Sequence, residues 1–290
     1  MVLSEPVIRV CRYISDTGSG VGVVDEAGGV RPVAVPSVAA ALRAARSGTL
    51  TAGDPVPDAR LTAPLDAQEV WGAGVTYLRS RDARIDEATS TAAALYAQVY
   101  DAPRAELFFK ATPGRVVGPG EPVVVRHDSH DTVPEPELAL WLDSDLSLLG
   151  IGLGDDVTAR DLEAENPLYL PQAKIWQGSC ALGPWVLAWS TAVPLDSLEI
   201  SMEINREGQV LFSGRVPLSR MHRQIDQLIE QLGHNNLFPE GVILLTGTGI
   251  VPPAHLGLHA GDEVCIEGLY RGEPGYLGQL RNPVVQGGAQ

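Results

Sequence analysis

Residues 133–142 read Val133-Pro134-Glu135-Pro136-Glu137-Leu138-Ala139-Leu140-Trp141-Leu142. Two prolines exclude the interior of a helix, and the apolar run behind them fits a strand half buried on a core. Runs of the same kind recur along the chain: VVVRH at 123–127, WVLAW at 185–189, LEISMEI at 198–204, QVLFSGR at 209–215, VILLTG at 242–247 and EVCIEG at 263–268. Gly and Pro turns separate them, with few helical patterns between, which predicts a mostly-β roll or sandwich with appended helices, α+β in class. The clearest helices are expected near 81–100, near 158–164 and over 220–233, where Met221, Ile225, Leu228 and Leu232 recur at helical spacing.

Ahead of this region, residues 5–35 alternate Val/Ile-rich runs with turn clusters and predict a small antiparallel sheet. Ser37 offers an N-cap to an Ala-rich helix closed by Gly48, and the Pro/Asp/Thr stretch 51–66 reads as a linker. The expected division is a small N-terminal α+β domain over 1–66 and a catalytic domain over 67–290.

The 290 residues are 44% hydrophobic and carry a formal net charge of −15, a globular composition that repels polyanions such as nucleic acid. Cys11, Cys180 and Cys265 are odd in number and far apart, so neither a disulfide framework nor a thiolate zinc site is expected. No apolar run approaches the roughly 20 residues of a membrane span, and no secretory pattern opens the chain. A reduced, soluble, cytoplasmic protein is the expectation.

In an extended backbone Glu135 and Glu137 point to one side with Cα atoms ~7 Å apart, and two such carboxylates repel unless one protonates or a cation sits between them. Oxygen ligands select a hard cation: Mg²⁺, or alternatively Mn²⁺ or Ca²⁺. A solvated acidic edge strand blunted by its prolines is the plain alternative. A second acidic element, Gly154 to Asp161, looks like a Gly-rich loop entering a helix. Thr158 and Asp161 approximate a capping box there, while Asp155 and Asp156 are left to supply a third ligand. Lys174 ends a two-proline loop over 165–174; a lone lysine is usually solvated, but beside a metal site it can serve as a base. Thr246-Gly247-Thr248-Gly249 closes an apolar strand with hydroxyls and amides able to hold a carboxylate.

Taken in order, Gly74-Val75-Thr76-Tyr77, Phe109-Lys110, Glu135-Pro136-Glu137-Leu138, the run Asp156 to Asp161, Gly183-Pro184-Trp185, and Thr246-Gly247-Thr248 followed by Gly261-Asp262 resemble the fumarylacetoacetate hydrolase superfamily over roughly residues 67–285. Residues 106–123 and 159–176 are similar to its 2-keto-3-deoxy-D-arabinonate dehydratase branch of sugar-acid catabolism. The resemblance implies a β-roll catalytic domain in a homodimer, with Glu135, Glu137 and Asp156 ligating Mg²⁺. It also implies that Glu106 and Lys174 are the proton-transfer groups and that Thr248 holds the substrate carboxylate, with Lys110, Arg160 and Tyr169 as further candidate substrate contacts. Hydrolases of the superfamily carry a histidine three residues after the tyrosine of the opening motif, where Ser80 stands here. A water-activating base is therefore missing.

The expected activity is metal-dependent dehydration of a 2-keto-3-deoxy sugar acid, such as 2-keto-3-deoxy-arabinonate to 2,5-dioxopentanoate. Two alternatives stay open at this point. One is a hydrolase or decarboxylase of a diketo or 2-oxo acid on the same scaffold; the other is a metabolite-binding β-protein without turnover. Lys174 supplies one offsetting charge for a substrate anion, and Arg79, Arg81 or Arg160 is the candidate for another.

Overall fold

Leu138, Leu140 and Leu142 pack into one hydrophobic core while Ala139 and Trp141, alternating with them, pack into a second. The strand Pro136–Leu142 is thus buried on both faces rather than half buried, as an unbroken apolar run requires when a strand lies inside a sheet with layers on either side. Val242–Leu245 behaves alike, with Val242 and Leu244 on the first core and Ile243 and Leu245 on the second. The computed structural model describes residues 7–78, 98–190, 195–254 and 256–288.

The main path of an 11-stranded sheet runs Val30–Pro32, Gly18–Val24, Arg9–Ser15, Cys180–Ala188, Leu148–Asp156, Pro136–Leu142, Val242–Leu245, Glu69–Gly74, Glu106–Ala111. A five-stranded sheet, ordered Gln209–Pro217, Leu198–Arg206, Glu263–Tyr270, Gln279–Gln286, Val123–Val125, contributes Ile200, Met202, Ile266 and Leu280 to the core shared with Leu138 and Leu140. The strands expected from 123, 185, 198, 209, 242 and 263 are all present. The architecture is mostly β with short helices.

The N-terminal strands and the helix Val38–Arg46 form as expected, with Ser37 capping Ala40 N at 3.0 Å. They are joined to the rest by the pairs Arg9↔Leu187 and Val10↔Val186, which make one continuous sheet. Leu42 of the helix reaches Gly150, where a Cβ would stand 3.2 Å from Leu42 Cδ2 and 2.5 Å from Val186 Cγ1.

Three local expectations are corrected. Gly154-Asp155-Asp156 is no loop: it ends the nine-residue strand Leu148–Asp156, whose alternate glycines make room for Val186, Trp141 and Leu245 and so mask its strand character. The helix expected over 220–233 begins only at Ile225 and ends at Leu232, because Pro217 starts a 3-10 turn, Leu218–Arg220, and Met221 instead bridges to Tyr77. Residues 167–174, expected as irregular loop, form a 3-10 turn Pro167–Tyr169 and a one-turn helix Leu170–Lys174, each with proline in its first turn where no N–H is needed. The expected helix near 158–164 spans Arg160–Glu165, while that near 81–100 lies, but for its last residues, outside the described residues.

Candidate active site

Register brings the acidic residues together. Pro136 pairs with Asp155 and Glu137 with Gly154, and one rung further Asp156 N donates to Glu135 O at 3.0 Å. Alternation then puts the side chains of 135, 137 and 156 on one face, and the absence of a side chain at 154, between them, makes room for Leu245. One oxygen each from Glu135, Glu137 and Asp156 lies within 4.8 Å of the others. Glu137 is 2% and Asp156 1% exposed, so these are not solvated acids.

Lys174 comes to the same point from the C-terminal end of its helical turn, 1% exposed. Its Nζ donates to Glu135 Oε2 at 2.6 Å, Asp156 Oδ2 at 2.8 Å and Thr158 Oγ1 at 2.7 Å, and lies 5.2 Å from the centre of the Phe108 ring. Thr158 is therefore not a helix cap. It lies in a short strand paired with Val133, donating to Asp156 O while receiving Lys174. Asp161 instead accepts from Ser129 Oγ and His130 N.

Gly247 closes the wall opposite. Its N–H donates to Glu137 Oε2 at 2.5 Å, its φ is +89°, and a Cβ there would fall 2.0 Å from Thr76 Oγ1, so only glycine can sit there. Thr248 lines the cavity beside it, accepting from Ile250 N at 3.1 Å. Glu106 sits across from Gly74 in the pair of strands Glu69–Gly74 and Glu106–Ala111, its Oε2 so close that a Cβ on Gly74 would be 1.9 Å away. That oxygen is buried and accepts no hydrogen bond from the described residues.

The other expected contacts stand elsewhere. Lys110 is fully enclosed behind the carboxylates, its Nζ 2.5 Å from Asp156 Oδ1. Arg160 turns away to Pro252 O at 3.1 Å, with Asp131 at 3.7 Å, and Tyr169 lies 37% exposed on its turn; neither lines the cavity. Arg79, Ser80 and Arg81 lie outside the described residues. Sequence reasoning missed Phe108 as a cavity wall, whereas the carboxylate-holding amide expected within Thr246–Gly249 is that of Gly247, its carboxylate being Glu137. Phe108 had a legible signal, since it sits two residues after Glu106 in a strand and so shares its face.

Burial, with Asp156 and Glu135 adding their charges, pushes the Glu137 carboxyl well above its ordinary range. Burial pushes Asp156 up too, but Lys110 and Lys174 outweigh it and hold this carboxyl below its usual value. Asp155, turned to the other face with Oδ1 accepting Glu135 N at 2.8 Å, is pushed by burial up to about 7. A carboxyl that keeps its proton more tightly folded than unfolded costs stability as pH rises from its unfolded value of about 3.9 towards the folded one. Metal-free protein should accordingly lose melting temperature between about pH 5 and about pH 7, and Asp155→Asn should flatten that slope. An unchanged slope in Asp155→Asn would contradict the assignment.

Three oxygen donors that converge while repelling one another fit a hard divalent cation: the ion relieves the repulsion, and carboxylates are the donors Mg²⁺ prefers. The family model for the fumarylacetoacetate hydrolase C-terminal domain matches residues 70–285. The chain belongs to the fumarylacetoacetate hydrolase family. A 2-dehydro-3-deoxy-D-arabinonate dehydratase of Saccharolobus solfataricus is 49% identical to this family member over 211 residues, 72% of this chain and 71% of that protein. A Haloferax volcanii protein described as "Probable 2-keto-3-deoxyxylonate dehydratase" is 43% identical over 218 residues, 74% of each chain. Among solved fumarylacetoacetate hydrolase folds, a 2-keto-3-deoxy-D-arabinonate dehydratase complexed with magnesium and 2,5-dioxopentanoate superposes with a TM-score of 0.84 at 38% identity, over 96% of this chain and 99% of that one.

Proposed function

We propose that this chain is a magnesium-dependent dehydratase that removes water from a 2-keto-3-deoxy sugar acid of the arabinonate type, giving 2,5-dioxopentanoate. The observation that carries the reading is the meeting of Glu135, Glu137 and Asp156 around one point with Lys174 beside them. Support comes also from two relatives and a solved neighbour that bear dehydratase names.

Glu135, Glu137 and Asp156 would hold the cation. When bound, it supplies a Lewis acid that chelates the oxo-acid end and steadies the negative charge gathering at the C2 oxygen during removal of a C3 proton. Glu106 takes that proton: its buried Oε2 accepts no other hydrogen bond from the described residues, so it is poised as an acceptor. Lys174, an ammonium with three oxygen partners, delivers a proton to the C4 hydroxyl as the C4–O bond breaks and water leaves. The unsaturated acid so formed tautomerises to the aldehyde. Thr248 meets the substrate carboxylate at the cavity wall.

Charge is consistent with a monoanionic substrate. Three carboxylates against the ammoniums of Lys110 and Lys174 leave about one negative charge, which a divalent ion converts to about one positive. We place the enzyme in the cytoplasm as a homodimer; among the described residues no helix is long and apolar enough to cross a membrane. Incubation of the purified protein with Mg²⁺ and 2-keto-3-deoxy pentonates and hexonates of both D and L series, followed by mass spectrometry, tests the reaction. The expected product of a pentonate has lost one water, kept every carbon and gained a carbonyl-reactive aldehyde at C5. Release of CO₂ or of a shorter acid instead would mean decarboxylation or hydrolysis.

A further inference from the structure

Among the described residues, Lys110 is a cation with no solvent exposure at all. Burying an ammonium is costly unless it is paired and hydrogen-bonded, and here it has two carbonyl acceptors and one carboxylate partner. Nζ lies 2.5 Å from Asp156 Oδ1, donates to Val157 O at 2.9 Å and donates to Lys174 O at 2.5 Å. Two separate pieces of chain therefore converge on it: the end of the strand that carries Asp156 together with the residue after it, and the C-terminal end of the turn that carries Lys174. Ser179 Oγ donates to the same Lys174 carbonyl at 3.1 Å, which satisfies the last acceptor of that turn a second time.

The backbone explains how a strand residue reaches so far. Val70 pairs with Ala111 but Trp71 pairs with Phe109, so the register shifts at that step and Lys110 is left as the extra residue of a β-bulge. Bulges re-aim a side chain out of the regular alternation beside functional sites. Its Nζ also lies 5.4 Å from the centre of the Trp176 ring. A lysine whose task was to touch substrate would reach the cavity; this one reaches Asp156 from the side opposite to it, because Asp156 Oδ2 is the oxygen shared with Lys174.

We propose that Lys110 is a positioning residue that clamps Asp156 and the backbone of Lys174 to each other, so that the cation ligand and the proton-transfer lysine keep one fixed separation. The inference rests on the metal-site reading above, but its test separates the two. Groups of this kind, which orient a ligand without touching the ion, are worth about 10–100-fold in metal affinity. Methionine is close to lysine in length and volume, so Lys110→Met fills the space without the charge or the hydrogen bonds; Lys110→Gln is a second variant that can still donate to a carbonyl.

The experiment measures Mn²⁺ binding by electron paramagnetic resonance, with near-UV circular dichroism as the check of packing and with kcat and KM at saturating metal. If the clamp is real, both variants keep the native spectrum, bind Mn²⁺ about 10–100-fold more weakly, and retain a lowered kcat when metal is saturating, because Lys174 has lost its tether. Wild-type Mn²⁺ affinity in a folded variant overturns the clamp while leaving the metal site intact, as does restoration of full kcat by metal alone. Loss of the native spectrum in both variants also overturns it, since Lys110 would then be a folding residue. Absence of Mn²⁺ binding by the wild-type chain would instead remove the metal-site reading itself.

Discussion

Asp156→Asn and Glu137→Gln each abolish Mg²⁺-dependent turnover, yet they move the stability of the metal-free protein in opposite directions. Asp156 is the anionic partner of two buried ammoniums, 2.5 Å from Lys110 and 2.8 Å from Lys174. Removing its charge leaves both lysines buried with less compensation, and breaking a buried pair of this kind costs about 3–5 kcal/mol. The pair holds the Asp156 carboxyl below its ordinary value, so the stability it lends is present at neutral pH and fades as pH falls through that lowered value. Glu137 is the reverse case. Burial and the charges of Asp156 and Glu135 push its carboxyl up, so its ionised form opposes folding at neutral pH. Glutamine keeps an acceptor for Gly247 N–H and lacks the charge. Thermal melts in chelator should show a raised midpoint for Glu137→Gln and a lowered one for Asp156→Asn, with neither variant responding to Mg²⁺. Equal shifts of one sign would show that the two carboxylates do not share the cluster as described.

Glu106→Gln lowers kcat by about 10²–10⁴, the usual worth of a positioned general base, while Mg²⁺ affinity stays at the wild-type value. The split follows from the geometry. Glu106 faces Gly74 and lies outside the three oxygens that converge, so its loss removes the proton acceptor without removing a ligand. Metal affinity is read by titration calorimetry and kcat from single-turnover product formation. A Glu106→Gln enzyme that turns over normally would assign the C3 proton to Lys174 instead.

Much of this site is written in local patterns. Glu135 and Glu137 are legible because two prolines force an extended backbone, and period-two alternation does the rest. Asp156 was legible as a candidate but misplaced: Gly150, Gly152 and Gly154 gave its strand a loop-like composition, although each glycine is there to admit a neighbouring side chain. Lys174 reads as a solvated lysine in any local window, since its three acceptors come from residues 135, 156 and 158. Glu106 and Lys110 carry no local mark of function, and the family resemblance alone brought them forward. Lys110 was expected among the substrate contacts; whether a lysine faces the cavity or stands behind a carboxylate depends on a one-residue register shift between Val70 and Trp71. The expected boundary near residue 66 follows a true change of composition, yet the chain carries its hydrogen-bonded sheet across it through Arg9 and Val10. Pairing of distant strands is the least local of these features.

Calorimetric titration of Mg²⁺ into the chelator-treated wild-type chain and into Glu137→Gln tests the central claim most directly. One ion bound per chain, with binding lost in the variant, is the predicted result. No Mg²⁺ uptake by the wild-type protein, or undiminished uptake by Glu137→Gln, would contradict it.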